Sequence, residues 1–119
     1  MHEASIVDEL LRVAEDHARQ AGMIRIRRMK LRIGMFRMVV PELLKAAFDV
    51  MSQDTLASGA ELEMEIIPLI ARCGPCDRQM PVEDYVFYCP ECGAPLTEII
   101  SGKELDLMEL EGDEEGDEA

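Results

Sequence analysis

The chain has no tryptophan and few aromatic side chains of any kind, since its 119 residues include only two Tyr and three Phe. Any core must therefore be mainly aliphatic. Hydrophobic residues still make up 48% of the sequence, so a modest core can form. The length suits one domain, or a small domain that carries an appended module.

Long apolar runs are absent as well. No stretch approaches the ~18 uninterrupted apolar residues that a membrane-spanning helix needs. The N-terminal sequence Met1-His2-Glu3-Ala4 lacks the basic-then-apolar plan of a secretory signal. We therefore expect a soluble, cytoplasmic protein that does not associate with membranes.

Basic residues are scarce, with 12 Lys and Arg against 25 Asp and Glu, for a net charge of −13. Half of the basic residues lie in residues 25–37, where they alternate with apolar ones. Alternation of this kind predicts the solvent-facing side of a strand. Because phosphate contacts demand a positive surface, the composition argues against nucleic-acid binding, with this basic stretch as the one reservation.

Patterns of common catalytic sites are also missing. The sequence has no Ser-His-Asp order, no phosphate-binding loop and no carboxylate pair with an assignable role. His17 lies near the apolar line of a predicted helix and is interpreted as a packed or edge histidine. We therefore predict that the protein is not an enzyme.

Hydrophobic periodicity predicts an α+β fold, with two helices on one face of a three-stranded sheet. Apolar residues at three- and four-residue spacing indicate helices, and alternation indicates strands. Two helices on one face would bury both apolar stripes. The predicted elements are a helix over 4–21, a strand over 23–34, a helix that begins at Pro41 and includes Leu43 in its apolar stripe, a strand over 61–67 and a strand over 103–110.

The same elements predict the organisation of the chain. Residues 1–70 and 100–111 form the α+β domain, and residues 71–99 form a small module inserted between two of its strands. Within this module, "EDYVFYC" is apolar enough for a hairpin strand. Residues 112–119 form a disordered acidic tail, because "GDEEGDEA" has almost nothing to bury.

All four cysteines lie in the inserted module, as Cys73-Gly-Pro-Cys76 and, twelve residues later, Cys89-Pro-Glu-Cys92. Two facing CxxC turns supply four thiolates on a tetrahedron, which is the geometry of structural zinc. A module of this size cannot bury a stabilising core, so Zn(II) would supply much of its folding free energy. With all four ligands used, no position stays open for catalysis.

Two other interpretations of the cysteines remain. A thioredoxin-type dithiol would make the protein a CxxC oxidoreductase, but it leaves two cysteines without a role and requires a βαβ frame. A rubredoxin-like iron site is compatible with "CPECG". A zinc-ribbon module that binds protein or nucleic acid is a further alternative for the whole chain.

The N-terminus is a second candidate metal site. A free α-amine, the amide nitrogen of His2 and its imidazole can close fused chelate rings on one ion, and the amide of Glu3 can complete a square plane. Planar nitrogen donors suit Ni(II) or Cu(II) rather than Zn(II). Such a site is exposed and releases its ion readily, as a metal carrier requires.

These features together resemble the HypA/HybF family of hydrogenase-maturation nickel chaperones. The resemblance rests on "MHE" at the start, an amphipathic helix, "LRIG" in a strand, the CxxC-x12-CxxC module and "GKELDLMELE", and it covers the chain up to the acidic tail. It implies Ni(II) bound through His2 with Glu3 beside it, which makes 1–70 and 100–111 a nickel-binding domain. It also implies structural Zn(II) on Cys73, Cys76, Cys89 and Cys92.

The resemblance further implies delivery of nickel to the large subunit of a [NiFe] hydrogenase, together with a HypB-type GTPase. Some relatives have an acidic residue, linked to nickel, early in the second helix region. Here Val40 stands where that residue would be sought, and Glu42 is the nearest acid. Exposed sheet edges also leave open a homodimer.

Overall fold

A computed structural model of the chain describes residues 3–114, and among these no helix is long and apolar enough to span a membrane. The chain divides into two compact units. The first contains the described residues of Met1–Arg32, Met38–Glu65 and Asp106–Ala119. The second contains Ile33–Arg37 and Ile66–Leu105, and so includes all four cysteines.

Two helices pack against each other in the first unit. Helix α1 spans Glu3–Gln20 and is followed by Gly22, whose φ of 77° is the left-handed conformation in which a glycine ends a helix. Helix α2 spans Pro41–Met51, with the proline in its first turn, as predicted. The α2 stripe is narrower than predicted, because Leu44 and Phe48 are buried whereas Leu43 is 55% exposed.

The sheet of the first unit has the strand order β2-β1-β6. In β1, Ile26 and Met29 are both buried although three positions separate them, so the alternation changes phase between them. The buried side chains of β1 and of both helices make the core aliphatic apart from Phe48. The predicted α+β class is confirmed. The strands are β1 at Met23–Gly34, β2 at Glu61–Ile67 and β6 at Leu105–Glu114.

Arg28 joins all three strands of this sheet through its guanidinium. It donates to Glu63 on β2 at 2.5 and 2.9 Å, and to Glu109 and Glu111 on β6 at 3.1 Å. The basic stretch of β1 is thus offset by carboxylates on the strands beside it. It does not present the uncompensated positive surface that phosphate binding needs.

Strand β6 extends further than the sequence predicted. It continues to Glu114, so the expected disordered tail over 112–119 is wrong for its first three residues, and the remainder lies outside the described residues. The physical reason is an ion pair: Arg27 Nε donates to both carboxylate oxygens of Asp113 at 2.8 Å. The acidic composition alone suggested a solvated segment, but a cross-strand arginine holds it in the sheet.

The second unit has its own sheet, in the order β4-β3-β5. The predicted strand in "EDYVFYC" is wrong, since only Tyr88 makes an isolated bridge, to Pro95. Asp84 and Tyr85 have φ values of 53° and 57°, which interrupt extended backbone. The antiparallel strands of the unit are β3 at Ile70–Cys73, β4 at Arg78–Pro81 and β5 at Glu98–Ser101.

Truncation of Phe48 tests whether this side chain dominates the small core of the first unit. Phe48 is fully buried, so Phe48→Ala should lower the free energy of unfolding by about 3–5 kcal/mol. The matched control is Val50→Ala, because Val50 lies on the same helix and is 67% exposed. We expect that control to stay within ~0.5 kcal/mol of the unsubstituted protein in urea titrations. Equal losses for the two variants would contradict this description of α2.

Acid titration of stability tests the Arg28 contact. The hydrogen bond from Arg28 lowers the pKa of Glu63 below its ordinary value of 4.5. The stabilisation is therefore fully present above pH 4.5 and is lost as pH falls through the lower pKa of the folded protein. We expect Glu63→Gln to be less stable at neutral pH and to converge with the unsubstituted protein only as pH falls through the lowered pKa of Glu63. Glu61→Gln, on the same strand, serves as the control. A difference that does not vary with pH would contradict the assignment.

Candidate metal centre

The first cysteine pair lies in the tight turn that joins β3 to β4. Cys73 is the last residue of β3, and the chain reverses through Cys76 before β4 begins. Asp77 has a φ of 53° and donates its N–H to the carbonyl oxygen of Cys73 at 2.8 Å. Aspartate tolerates this left-handed conformation better than most residues, which allows so compact a turn.

The second cysteine pair repeats the same turn. Gly93 stands four residues after Cys89, as Asp77 stands four residues after Cys73, and it has a φ of 72°. Its N–H donates to the carbonyl oxygen of Cys89 at 2.9 Å. The two CxxC turns therefore share one backbone design, in which a left-handed residue closes the loop and leaves both cysteines of the pair on its inner side.

The four sulfur atoms converge. All four Sγ atoms lie within 4.8 Å of one another, and they are the one such group of potential metal ligands found within residues 3–114. The Cys73–Cys92 and Cys76–Cys89 sulfurs are 3.5 and 3.9 Å apart. A tetrahedron of thiolates at the usual Zn–S length of ~2.3 Å has sulfurs ~3.8 Å apart. The arrangement therefore fits zinc binding.

The dithiol alternative does not suit this geometry. Two close sulfur contacts, Cys73 with Cys92 and Cys76 with Cys89, join one turn to the other. All four cysteines are free thiols. A redox pair would need its two sulfurs set apart from other ligands, whereas here the four form one cluster.

The thiols strongly perturb one another. Hydrogen bonding with Cys92 and then with Cys73 raises the pKa of Cys76 to about 12. The backbone N–H groups of Cys92 and Glu91 lower the pKa of Cys89 to about 7. Four thiolates this close repel one another, so a bound cation is what allows all of them to ionise. The N–H donors to Cys89 would orient and stabilise its sulfur if it bound a metal ion.

A small apolar cluster supports the cysteine turns, and two of the cysteines belong to it. Cys73 is fully buried and Cys89 is 3% exposed. The ring of Phe87 packs edge-on against Phe36 with 6.3 Å between their centroids. The other members are mostly aliphatic: Leu69, Ala71, Val82 and Leu96 are buried, with Met80, Ala94 and Ile99 partly buried.

Ion pairs around the cysteine turns were not predicted from the sequence. Arg72 pairs with Asp77 and with Glu98, the latter at 3.2 Å. Arg78 pairs with Glu91, which lies inside the second CxxC turn. The sequence held one hint of these ion pairs, since each of the two arginines is within two residues of a cysteine. This hint was ambiguous, because charged residues near a turn are usually solvated.

The predicted nickel ligands divide between described and undescribed residues. His2 lies outside the described residues, whereas Glu3 is the first residue of α1. His17 is exposed on α1 and lines a shallow hollow with Leu107 and Leu110 of β6, which agrees with an edge histidine. Glu42 is exposed in the first turn of α2, next to the helix-capping Val40.

An α+β unit combined with a four-thiolate centre defines a class of small metal-binding proteins. The family model described as "Hydrogenase/urease nickel incorporation, metallochaperone, hypA" matches residues 1–112. The chain belongs to this family, as its sequence resemblance predicted. The family description is that of a metallochaperone and not of an enzyme, which confirms the prediction from the missing catalytic patterns.

Individual relatives agree with the family match. The hydrogenase maturation factor HypA of Acidithiobacillus ferrooxidans is 40% identical over 111 residues, covering 93% of this chain and 98% of the relative. The HypA of Roseiflexus sp. is 39% identical over 120 residues, covering 100% and 98%. The solution structure of the Ni metallochaperone HypA from Helicobacter pylori is similar with a TM-score of 0.71 and 27% identity, covering 97% of this chain and 100% of that one.

Replacement of one sulfur tests the metal centre. Cys76→Ser should reduce bound zinc from stoichiometric to trace amounts, because three thiolates no longer close the tetrahedron. We expect the amide signals of β3, β4 and β5 to collapse towards random-coil positions while those of α1 and α2 persist. Zinc content by mass spectrometry and NMR spectra of the same sample provide the measurement. Full zinc occupancy in the variant would contradict the four-ligand assignment.

Proposed function

We propose that the chain carries Ni(II) as cargo at its N-terminus and delivers it to the large subunit of a [NiFe] hydrogenase, while Zn(II) on the four cysteines is structural. The ligands would be the α-amine, the amide and imidazole of His2, and the amide of Glu3. Membership of a nickel-incorporation family supports the cargo, and the chemistry of these donors supports the position.

Membership of a nickel-incorporation family is the observation that supports this proposal most directly, and the position of Glu3 in the first turn of α1 is compatible with it. The first four N–H groups of an α-helix have no carbonyl partner within the helix. The amide of Glu3 can therefore lose its proton to a metal without the loss of a helical hydrogen bond.

The charge of the proposed complex also suits a helix N-terminus. This end of a helix carries roughly half a positive charge, which disfavours a bare cation. Two deprotonated amides neutralise the divalent ion, and the amine and imidazole add no charge. The complex is then neutral overall, so the helix dipole does not expel it. The same dipole makes it easier to deprotonate the amides.

The cysteine site and the N-terminal site would hold their ions in different ways. Four thiolates that use every coordination position hold their ion as part of the fold. A planar site made from the first three residues has both faces open to an incoming ligand from a receiving protein. Nickel can then leave through ligand exchange while the zinc unit stays folded.

The proposed partners follow from the family. A hydrogenase nickel-incorporation chaperone implies hydrogenase-related partners. We propose that the large subunit accepts the nickel and that a HypB-type GTPase takes part in the transfer. We place this activity in the cytoplasm, where glutathione and thioredoxin keep cysteines such as these four reduced.

The two histidines of the chain provide a matched pair of variants for the nickel site. His2→Ala should abolish stoichiometric nickel binding, because it removes the imidazole and with it one of the fused chelate rings. His17→Ala should bind nickel as the unsubstituted protein does, since His17 is an exposed edge residue of α1. Titration of untagged proteins, followed by the absorption band of a planar nickel complex, provides the measurement.

Zinc content is the control in both proteins and should not change. Retention of the planar band by His2→Ala would refute the proposed ligand set. Its loss in His17→Ala would move the site away from the N-terminus.

A further inference from the structure

One ion pair connects the two cysteine turns. The guanidinium of Arg78, through Nη1, pairs with Oε1 of Glu91. Arg78 lies two residues after Cys76, whereas Glu91 lies between Cys89 and Cys92. The pair thus joins the segment that follows the first turn to the interior of the second, across the same gap that the metal ion would span.

The register of the sheet places Arg78 beside the metal ligands. In the antiparallel pairing of β3 with β4, Cys73 and Arg78 are direct cross-strand partners. Directly opposed residues of an antiparallel pair project their side chains on the same face, with Cβ atoms ~5 Å apart. The side chain of Arg78 therefore leaves the sheet on the side where Cys73 contributes its sulfur.

The charge of the centre makes a cation at this position consequential. Four thiolates around one divalent ion carry a net charge of −2, and a positive group nearby lowers the free energy of that state. Arg78 is the cross-strand partner of Cys73, and its guanidinium pairs with Glu91 between Cys89 and Cys92. Its positive charge therefore lies beside both cysteine turns.

We propose that Arg78 is a positioning residue of the metal centre, which slows zinc loss by tethering the second turn through Glu91 and by offsetting the negative charge of the four thiolates. This inference rests on the proposed occupancy of the centre by zinc. Groups outside the ligand shell commonly change metal affinity about 10–100-fold. Because the Arg78 side chain is 56% exposed, we expect the lower end of that range.

Arg72 provides a matched control. It belongs to the same sheet and precedes Cys73 directly, and it pairs with Asp77 and Glu98. These partners tie the first turn to β5, and neither lies in the second turn. If the loss of any ion pair simply loosened this unit, Arg72→Met would speed zinc release as much as Arg78→Met does.

The test is the rate at which zinc passes from the full-length, zinc-loaded protein to an excess of the chromogenic chelator 4-(2-pyridylazo)resorcinol. Arg78→Met should release zinc about tenfold faster than the unsubstituted protein. Arg78→Lys should recover part of the loss, since it keeps the charge but not the planar fork. Glu91→Gln should have a smaller effect, because the arginine charge stays in place. Arg72→Met should stay within about twofold.

Salt separates the electrostatic part of the effect. Raising the ionic strength from ~0.05 to ~0.5 M screens an exposed charge, so the unsubstituted protein should approach the rate of Arg78→Met. Should Arg78→Met fail to fold, the lysine variant and this salt dependence still decide the matter.

The proposal is overturned if Arg78→Met releases zinc at the unsubstituted rate, or if Arg72→Met accelerates release as much. An unsubstituted protein that purifies without zinc and does not take it up would instead refute the zinc assignment itself. The two failures are therefore distinguishable in one set of measurements.

Discussion

The convergence of four sulfurs is the constraint on which the second unit depends. This unit has three four-residue strands and a small apolar cluster, in which two of the buried members are cysteines. Such a core cannot offset the entropy of ordering its chain without help. A divalent ion bound to the four sulfurs would supply that help, and it would favour ionisation of Cys76, whose pKa is raised by hydrogen bonding with Cys92 and Cys73. On this proposal, folding of the unit and metal binding are coupled.

The first unit has a larger apolar core, formed where two helices and a sheet pack together. Phe48, Leu44 and the buried side chains of α1 and β1 form a continuous apolar interior. The outer side of the sheet is held by charge, with Arg28 at its centre. We propose that a unit stabilised in this way can bind and release nickel at the N-terminus without unfolding. This division suits a carrier, whose cargo must leave without unfolding the protein.

The sequence predicted the parts of the fold that have a strong local signal. Periodicity located both helices, Gly22 and Pro41 bounded them, and cysteine spacing predicted the cluster of four sulfurs. The prediction of a strand in "EDYVFYC" was wrong because a hydrophobicity pattern does not reveal two consecutive left-handed residues. The end of β6 was predicted wrongly because the residue that holds it in the sheet, Arg27, is distant in sequence. Arg78 was missed for the same reason, since only the register of β3 and β4 places it beside Cys73.

We propose that nickel binds at a free N-terminus, whereas zinc binds at the four cysteines. The most direct measurement compares the native chain with one extended by two residues ahead of Met1, with nickel affinity and zinc content determined in the same samples. The extension keeps every side chain but moves the α-amine out of the chelate. We expect the extended chain to lose stoichiometric nickel binding and its planar absorption band while zinc stays fully bound. Equal nickel affinity in the two proteins would contradict it.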